Sequence, residues 1–264
     1  MSAYTDRPWL ARYSDGRPAD ITPDHTTMLE MFEASVERAP SAAAIKYFDG
    51  VLTMADLDAA SDALAVALIE NGFAPGDRMA IYVQNNPAFV VGLIAAWKAG
   101  GTAVAINPMN KARELTYLLS DSGASALLCL DDLYETVARG VIASGETKVS
   151  TVVTASALDW QARNDERVLG GLQKTTPNGT SDLLTLIGRQ AGKKPDAPAP
   201  AADDVAILTY TSGTTGVPKG AMNTHSSMLF NCYTYRDWMG LTTDDSVLGV
   251  APLFHITGLV GHVG

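Results

Sequence analysis

Apolar residues in the first part of the chain recur with the period of an α-helix. Positions Leu57, Ala60, Leu64, Ala67 and Leu68 follow a 3.6-residue repeat. Side-chain caps, prolines and glycines indicate where such segments begin and end. Three helices are predicted from these signals: from the Thr27-Met-Leu-Glu30 capping box to before Pro40, from Thr53 to Asn71-Gly72, and from Asn86-Pro87 to Lys98, with Gly100 at the left-handed end.

Short apolar runs without alternation lie between and after these helices. The runs cover residues 79–83, 103–106, 126–130 and 151–154. Continuous apolar runs of this length are typical of parallel strands that helices cover on both faces. The order β-α-β-α-β-α-β therefore predicts an α/β fold with layered, open, mostly parallel sheets and flanking helices.

The second part of the chain has a weaker pattern. Residues 193–200, K-K-P-D-A-P-A-P, are interpreted as a stiff, polar surface loop within one domain, not as a linker between two domains. The remaining elements predicted here are a short helix over 182–189, a strand over 205–210, a loop over 211–220, a helix from Asn223 or Thr224 to near Met239, and a strand over 246–251.

Composition and charge exclude several classes of protein. The 264 residues are 47% hydrophobic and 18% charged, which is typical of a globular protein and long enough for a sizeable core. A net charge of −10 argues against a nucleic-acid partner. Two cysteines cannot form a disulfide framework, so a reducing, cytoplasmic location is predicted. No secretory signal is expected, because residues 1–10 lack a basic segment followed by an apolar core. No transmembrane segment is expected, because the longest apolar run covers only residues 89–97.

The loop after the strand at 205–210 has the composition of a phosphate site. Glycines let the backbone approach a ligand closely, and successive N–H groups in such a turn can bind an anion. Hydroxyls add rotatable donors, and a lysine adds a compact positive charge. The loop residues predicted to bind a polyphosphate are Thr211, Ser212, Gly213, Thr214, Thr215, Gly216, Pro218 and Lys219.

Two other interpretations of this loop are a P-loop of the NTPases and a turn that binds no ligand. The P-loop of the NTPases places a second glycine before its lysine and a Ser or Thr after it. Here Pro218 and Gly220 occupy those positions, so a P-loop ATPase is disfavoured. A ligand-free turn is disfavoured as well, because this ordered string directly follows a predicted strand.

Residues 210–220, Y-T-S-G-T-T-G-V-P-K-G, resemble almost letter for letter the signature loop of the acyl-adenylate-forming (AMP-binding) superfamily. This superfamily includes acyl-CoA synthetases, nonribosomal adenylation domains and luciferases. Other segments agree in order and spacing, although Met54 and Asp56 depart from the first motif. They are residues 52–57 (L-T-M-A-D-L), 76–81 (G-D-R-M-A-I), 97–101 (W-K-A-G-G), 107–108 (N-P), 114–122 (E-L-T-Y-L-L-S-D-S) and 252–255 (P-L-F-H).

The resemblance implies a two-step ligase reaction. A carboxylic acid, of fatty or similar hydrophobic type, is activated by ATP with Mg²⁺ to an acyl-adenylate, and coenzyme A then forms the thioester. The loop would hold the β- and γ-phosphates, with Thr211 also near the magnesium. His255, in the P-L-F-H segment, would lie beside the acyl carboxylate and the route by which the thiol enters. The partners expected are therefore small molecules.

The other histidines and the remaining candidate side chains are assigned to structure. His225 lies beside a predicted helix cap, and His25 and His262 have no context that indicates chemistry. Cys232 has no neighbouring base in the pattern, so it is not predicted to be a nucleophile. The side chains interpreted as packing residues are Trp97, Trp160 and Trp238.

The resemblance also implies a longer protein. Family members carry a Y-G-x-T-E segment with a magnesium-binding Glu, a ribose-binding aspartate, a hinge and a small domain with a catalytic lysine, and none of these occurs in residues 1–264. Residues 1–264 are therefore interpreted as part of an N-terminal AMP-binding domain, with a connector near 190–203, and are expected to be inactive alone. The alternatives are a non-catalytic nucleotide-binding remnant and an adenylation domain for another acid, such as an amino acid.

Overall fold

The computed structural model describes residues 3–211 and 216–264. The helices are α1 Ala3–Asp6, α2 Met28–Arg38, α3 Met54–Glu70, α4 Pro87–Lys98, α5 Ala112–Ser122, α6 Asp131–Leu133, α7 Arg139–Ala143, α8 Glu166–Leu169, α9 Leu183–Gln190, α10 His225–Met239 and α11 Ile256–Gly258, with a 3-10 turn at Pro8–Arg12 and π turns at Tyr134–Ala138 and Leu259–Val263. The strands are β1 Ala43–Tyr47, β2 Gly50–Thr53, β3 Arg78–Tyr82, β4 Thr102–Ala105, β5 Ala126–Leu130, β6 Thr151–Ala155, β7 Ser181–Asp182, β8 Val205–Thr211 and β9 Lys219–Thr224.

One large sheet organises the chain, with strand order β7-β6-β5-β3-β4-β8-β9. All its pairs are parallel except β8 with β9, which are antiparallel. The α/β fold with an open, mostly parallel sheet is therefore confirmed. The chain runs from β3 to β4 on one side and then returns to place β5 on the other side of β3, so the strand order reverses at β3.

Helices cover both faces of this sheet, which explains why its strands are apolar without alternation. Successive residues of β3 enter opposite cores, with Met79 and Ile81 packed on one face and Ala80 and Tyr82 on the other. The first core contains α4, all of whose residues are buried, and the second contains the apolar face of α5. A helix buried on every side is hydrophobic all round, as α4 is.

The predicted helix caps are present, and Asp182 adds one that was not predicted. Side-chain oxygens of Thr27, Thr53, Asn86, Asp182 and Thr224 each accept a hydrogen bond from the backbone N–H three residues on. At Thr53 the capping box is complete, because Asp56 also accepts from the Thr53 backbone. At Thr27 the predicted box is not closed, because Glu30 accepts from the Thr26 backbone instead. Gly240 ends α10 with φ +69°, a left-handed conformation that glycine adopts without strain.

One predicted strand and one predicted loop boundary are wrong, and one small sheet was not predicted. Residues 246–251 form no strand; residues 246–250 are exposed, and strand β9 occupies the edge of the sheet beside β8. The predicted loop 211–220 is cut short, because β9 already begins at Lys219 and pairs with β8. The two-stranded sheet of β1 and β2 was not predicted, since its residues are half exposed and carry no continuous apolar run.

The connector is tied to the fold by an ionic cluster, here called the Lys98 cluster, formed by Lys98, Asp58, Asp62 and Lys194. The Nζ atom of Lys98 lies 2.5 Å from Asp58 Oδ1 and 2.7 Å from Asp62 Oδ1. Lys194, from the connector, pairs with the same two carboxylates. Burial acts to raise the pKa of Asp58, but the hydrogen bonds from the two lysines outweigh it and lower that pKa.

Two further properties of the fold bear on the predictions. No helix among the described residues is both long and apolar enough to cross a membrane. Cys129 and Cys232 are both buried, and neither forms a disulfide.

Candidate functional site

The candidate site lies at the edge of the large sheet where the parallel strands end. Strands β3, β4 and β8 are neighbours and run in the same direction, so the segments that follow them meet at one edge. In open α/β sheets, ligands bind outside the carboxyl ends of the strands, where the strand order reverses. Here the order reverses at β3, and Thr211 ends β8 two strands away.

The β8–β9 hairpin sets the two ends of the signature loop opposite each other. Thr211, the last residue of β8, is the register partner of Lys219, the first residue of β9. Both residues are exposed, and Lys219 has no ion-pair partner within the part of the chain that the structure describes. The hairpin therefore presents a hydroxyl and an ammonium group side by side at the edge of the sheet.

The described residues contain only part of the predicted phosphate site. Thr211, Gly216, Pro218 and Lys219 lie in the hairpin and its approach. Four predicted site residues lie outside the described residues: Ser212, Gly213, Thr214 and Thr215. The role of each loop residue stays a prediction.

Helix α5 anchors the hairpin through two tyrosines. Tyr117 on α5 donates a hydrogen bond to the carbonyl oxygen of Pro218 at 3.0 Å. Tyr210 on β8 donates to Asp121 Oδ2 at 2.6 Å. Burial, and then the bond to Asp121, raise the pKa of the Tyr210 hydroxyl, so it remains a donor at neutral pH.

Gly220 allows the Tyr210 ring to lie close to the hairpin backbone. A Cβ atom at position 220 would stand 3.2 Å from Cζ of Tyr210. Packing against Tyr210 therefore favours glycine at position 220, next to Lys219. This adds to the close approach of a ligand that the glycines of the loop allow.

The segment that carries His255 is fastened to the same edge by Asn85, in the turn after β3. Asn85 Nδ2 donates to the carbonyl oxygens of Gly249 at 3.1 Å and Ala251 at 2.9 Å. Its Oδ1 accepts from the backbone N–H of Leu253 at 2.9 Å. These contacts bring the P-L-F-H segment beside the carboxyl end of β3.

His255 is exposed and caps the short helix α11. Its backbone N–H donates to the Pro252 carbonyl at 3.0 Å, and its ring lies against Phe254 with centroids 5.1 Å apart. No hydrogen bond or ion pair joins its ring to the described part of the hairpin. The structure places His255 on the same edge as Lys219, and its chemical role stays a prediction.

The side chains that the sequence assigns to structure are packed or hydrogen-bonded. Trp97 donates from Nε1 to the Ala206 carbonyl at 2.9 Å, and Trp238 makes an edge contact with Tyr13. Cys232 is buried beside Met28, and this burial raises the pKa of its thiol to about 12. A thiol with so high a pKa is protonated at neutral pH and a poor nucleophile.

The described residues offer little to a metal ion. Within ranges 3–211 and 216–264, no group of three or more His, Cys, Asp and Glu side chains is placed to hold one. Thr211 supplies one hydroxyl oxygen at the hairpin. Mg²⁺ takes several ligands from water and phosphate oxygens, so a nucleotide would have to bring most of its shell.

Sequence reasoning missed the residues that hold the site together. Asn85 contacts residues more than 160 positions away, and Tyr117 contacts Pro218 across 101 positions. Tyr117 and Asp121 do fall in the motif at 114–122, which is the one signal that pointed to them. Nothing local marks Asn85, because Asn86 beside it already explains the helix cap.

Known proteins share this sequence pattern. The profile described as "AMP-binding enzyme" matches residues 32–264. The long-chain-fatty-acid–CoA ligase of Bacillus subtilis (strain 168) is 31% identical over 265 residues, covering 97% of this chain and 47% of that protein. The feruloyl-CoA synthase of Amycolatopsis sp is 35% identical over 221 residues, covering 84% of this chain and 38% of that protein. The chain thus spans about half the length of the ligase that it matches.

Solved structures share the fold. A long-chain-fatty-acid–CoA ligase from Archaeoglobus fulgidus superposes with a TM-score of 0.74 at 25% identity, covering 94% of this chain and 47% of that one. A second ligase structure, from Rhodopseudomonas palustris, has a TM-score of 0.74 at 24% identity and supports the fold alone. The sequence profile covers most of the chain, and the chain therefore belongs to the AMP-binding enzyme family.

Proposed function

We propose that this chain supplies the ATP-phosphate site of an AMP-forming ligase that activates a carboxylic acid and passes it to coenzyme A. The observation that carries the proposal is the pairing of Thr211 with Lys219 at the carboxyl edge of the sheet. A hydroxyl and an ammonium group without an ion-pair partner among the described residues, held side by side, are suited to the β- and γ-phosphates of ATP. In this proposal residues 212–216 supply the backbone and hydroxyl donors between them, and Pro218, which has no backbone N–H, stiffens the loop before Lys219.

The first step joins two anions. An oxygen of the acid attacks the α-phosphorus of ATP in line, the bond from that phosphorus to the bridging oxygen breaks, and pyrophosphate leaves. Lys219 favours this step because its charge lies beside the oxygens on which negative charge accumulates. In the second step the thiol of coenzyme A loses its proton and attacks the acyl carbon, and AMP leaves.

Magnesium enters this proposal as part of the substrate, MgATP. The Thr211 hydroxyl is the one protein oxygen that we assign to it among the described residues, and phosphate and water oxygens would complete the shell. One neutral hydroxyl binds a divalent ion less strongly than a carboxylate does, so Thr211 alone would hold the magnesium ion weakly.

We assign His255 to the acyl end of the site and a hydrophobic acid to the substrate. The histidine lies on the same edge as the hairpin, where an imidazole N–H can donate to the acid's carboxylate. The similarity to long-chain-fatty-acid–CoA ligases favours an aliphatic acid. The feruloyl-CoA synthases, at 35% identity, make an aromatic acid the second candidate.

Lys219→Ala tests the phosphate site. We expect ATP binding to the 264-residue chain, measured by equilibrium dialysis, to weaken at least about tenfold, because an ionic contact with phosphate is lost. Acid-dependent ATP–pyrophosphate exchange is expected to fall by about a hundredfold or more when the remaining part of the family fold is supplied as a second polypeptide. The acids compared are palmitate, ferulate and phenylalanine, with palmitate expected to be most active.

Lys148→Ala is the matched control, since Lys148 is an exposed lysine in the turn before β6 and far from the hairpin in sequence. It removes the same charge and is expected to leave ATP binding unchanged. Equal losses in both variants would contradict the assignment of Lys219. ATP binding without exchange for any acid would favour the non-catalytic remnant, and exchange with phenylalanine alone would favour an amino-acid adenylation domain.

A further inference from the structure

Asn85 makes a set of contacts that is unusual for one side chain. Its carboxamide donates to two backbone carbonyls, of Gly249 and Ala251, and accepts from the backbone N–H of Leu253. A carboxamide carries both a donor and an acceptor, so it can imitate the edge of a strand toward an extended segment. Asn85 is therefore a backbone clamp on residues 249–253.

The clamped segment has few other attachments. Residues 246–250 form no strand and are exposed, so no sheet ladder holds them. The Ala251 N–H donates to Nε2 of His262 at 3.1 Å, and the Leu253 side chain is buried. In the described residues, the bonds to Asn85 are the ones that join this segment's backbone to the large sheet.

The turn that carries Asn85 is itself rigid. The next residue, Asn86, caps α4 by accepting from Phe89 N, and Pro87 fixes the first turn of the helix. Helix α4 is buried along its whole length, and β3 lies in the middle of the sheet. The clamp therefore fixes the position of residues 249–253 relative to the central strand β3.

His255 follows the clamp after two residues. The chain turns directly after Leu253, where the His255 N–H donates to the Pro252 carbonyl and the His255 carbonyl accepts from Leu259 N–H. Both ends of this turn are thus defined by the clamp on one side and α11 on the other. Moving residues 249–253 would move the imidazole with them.

We propose that Asn85 is a positioning residue that sets the place of His255 at the carboxyl edge of the sheet. The role of the histidine toward the acid rests on the proposed function, whereas the clamp does not. Asn85 touches no reacting atom in this scheme and acts through the backbone of residues 249–253. The strand-order reversal at β3 then links the acyl end of the site to the core of the sheet.

The test uses the 264-residue chain with three substitutions. Asn85→Ala removes the donor and the acceptor. Asn85→Asp keeps the acceptor for Leu253 N–H and loses the donors to Gly249 and Ala251. Gln84→Ala changes an exposed neighbour in the same turn and serves as the control. The measurements are amide hydrogen exchange at Leu253 and in β3, and the NMR chemical shifts of the His255 ring and backbone amide at pH 7.

We expect the Leu253 amide to exchange at least about tenfold faster in Asn85→Ala, with β3 amides unchanged and the His255 ring and backbone chemical shifts changed. In Asn85→Asp the Leu253 amide should keep most of its protection, because its acceptor remains, while the His255 chemical shifts still change. Gln84→Ala should change neither quantity. If Asn85→Ala loses protection throughout the sheet, that variant is destabilised as a whole. The test of the proposal then rests on Asn85→Asp.

Unchanged Leu253 exchange in Asn85→Ala, or unchanged His255 chemical shifts in both Asn85 variants, would overturn the proposal. Neither measurement requires catalysis. A chain that fails every ATP-binding and exchange assay while its Leu253 amide and His255 ring respond to Asn85 would refute the proposed function and leave the clamp standing.

Discussion

His225 is the most deeply buried histidine among the described residues. It is 1% exposed, its ring meets Trp97 edge-on at 5.4 Å, and neither ring nitrogen has a hydrogen-bond partner. Burial lowers the pKa of His225 to about 4, with Asp204 acting weakly in the opposite direction. The neutral ring is therefore the form that the folded protein accepts.

This burial predicts an acid-sensitive stability. Above pH 6.5 the His225 ring is neutral in both the folded and the unfolded chain, so it adds no pH dependence to the free energy of unfolding. Between pH 6.5 and 4 the unfolded chain binds a proton that the folded chain does not, so stability falls with pH, by about 3 kcal/mol in all. In His225→Leu this loss should disappear from urea unfolding curves measured from pH 7.5 to 4.5.

His25→Gln is the control for that experiment, because His25 lies near Glu30 in a partly exposed position. It should leave the acid-dependent loss in place. A His225→Leu protein that loses stability over the same pH range by the same amount as the native chain would contradict the assignment.

Helices α3 and α4 and the connector are joined by the Lys98 cluster. Its members differ sharply in exposure: the side chains of Lys98 and Asp62 are 4% and 6% exposed, whereas that of Lys194 is 71% exposed. Removing one partner of a buried pair leaves an uncompensated charge, whereas an exposed partner is replaced by water. The two lysines should therefore differ in their contribution to stability.

Lys98→Met is expected to lower the free energy of unfolding by about 3 kcal/mol or more at pH 7. Lys194→Met should cost less than about 1 kcal/mol, and less still at high salt. Both changes in the free energy of unfolding are to be measured by guanidinium or urea unfolding. Lys193→Met, at an exposed lysine of the connector outside the Lys98 cluster, is the control. Equal losses for Lys98 and Lys194 would show that burial does not decide the strength of this cluster.

At the scale of the whole molecule, the connector does not divide the core. One hydrophobic cluster contains Leu64 and Phe89 from before it and Ile207 and Met228 from after it. A shared core favours a single cooperative unit. The interpretation of residues 193–200 as a loop within one domain stays a prediction.

We therefore expect a single unfolding transition. Calorimetry should give a van 't Hoff enthalpy equal to the calorimetric enthalpy, and circular dichroism and tryptophan fluorescence should report the same midpoint. Two separable transitions, or midpoints that differ between the two probes, would indicate independent parts on either side of the connector.

Local signals in the sequence were sufficient for most elements of this fold. Caps such as Thr53 and Asn86, and the apolar runs of β3 to β6, act within a few residues and were predicted correctly. Errors arose where partners are distant or absent. Strand β9 depends on its pairing with β8, and residues 246–251 have the composition of a strand but no neighbouring strand to pair with.

The candidate site follows the same division. Lys219 and His255 could be named as candidates because their motifs are contiguous, and their chemical roles stay predictions. The place of Lys219 follows from the β8–β9 pairing, whereas that of His255 depends on the hydrogen bonds of Asn85. The supports Asn85, Tyr117 and Asp121 were not found as such, because each acts on a residue at least 89 positions away. Long-range hydrogen bonds of single side chains leave no periodic trace in a sequence.

The register of the β8–β9 hairpin has a consequence for how this loop can vary among relatives. Thr211 and Lys219 are opposite each other because the strands pair, so folding brings the two ends together before any ligand arrives. Strand pairing therefore fixes the distance between the Thr211 hydroxyl and the Lys219 ammonium group. Substitutions at the seven positions from 212 to 218 can change which ligand binds between these two residues without changing the distance between them.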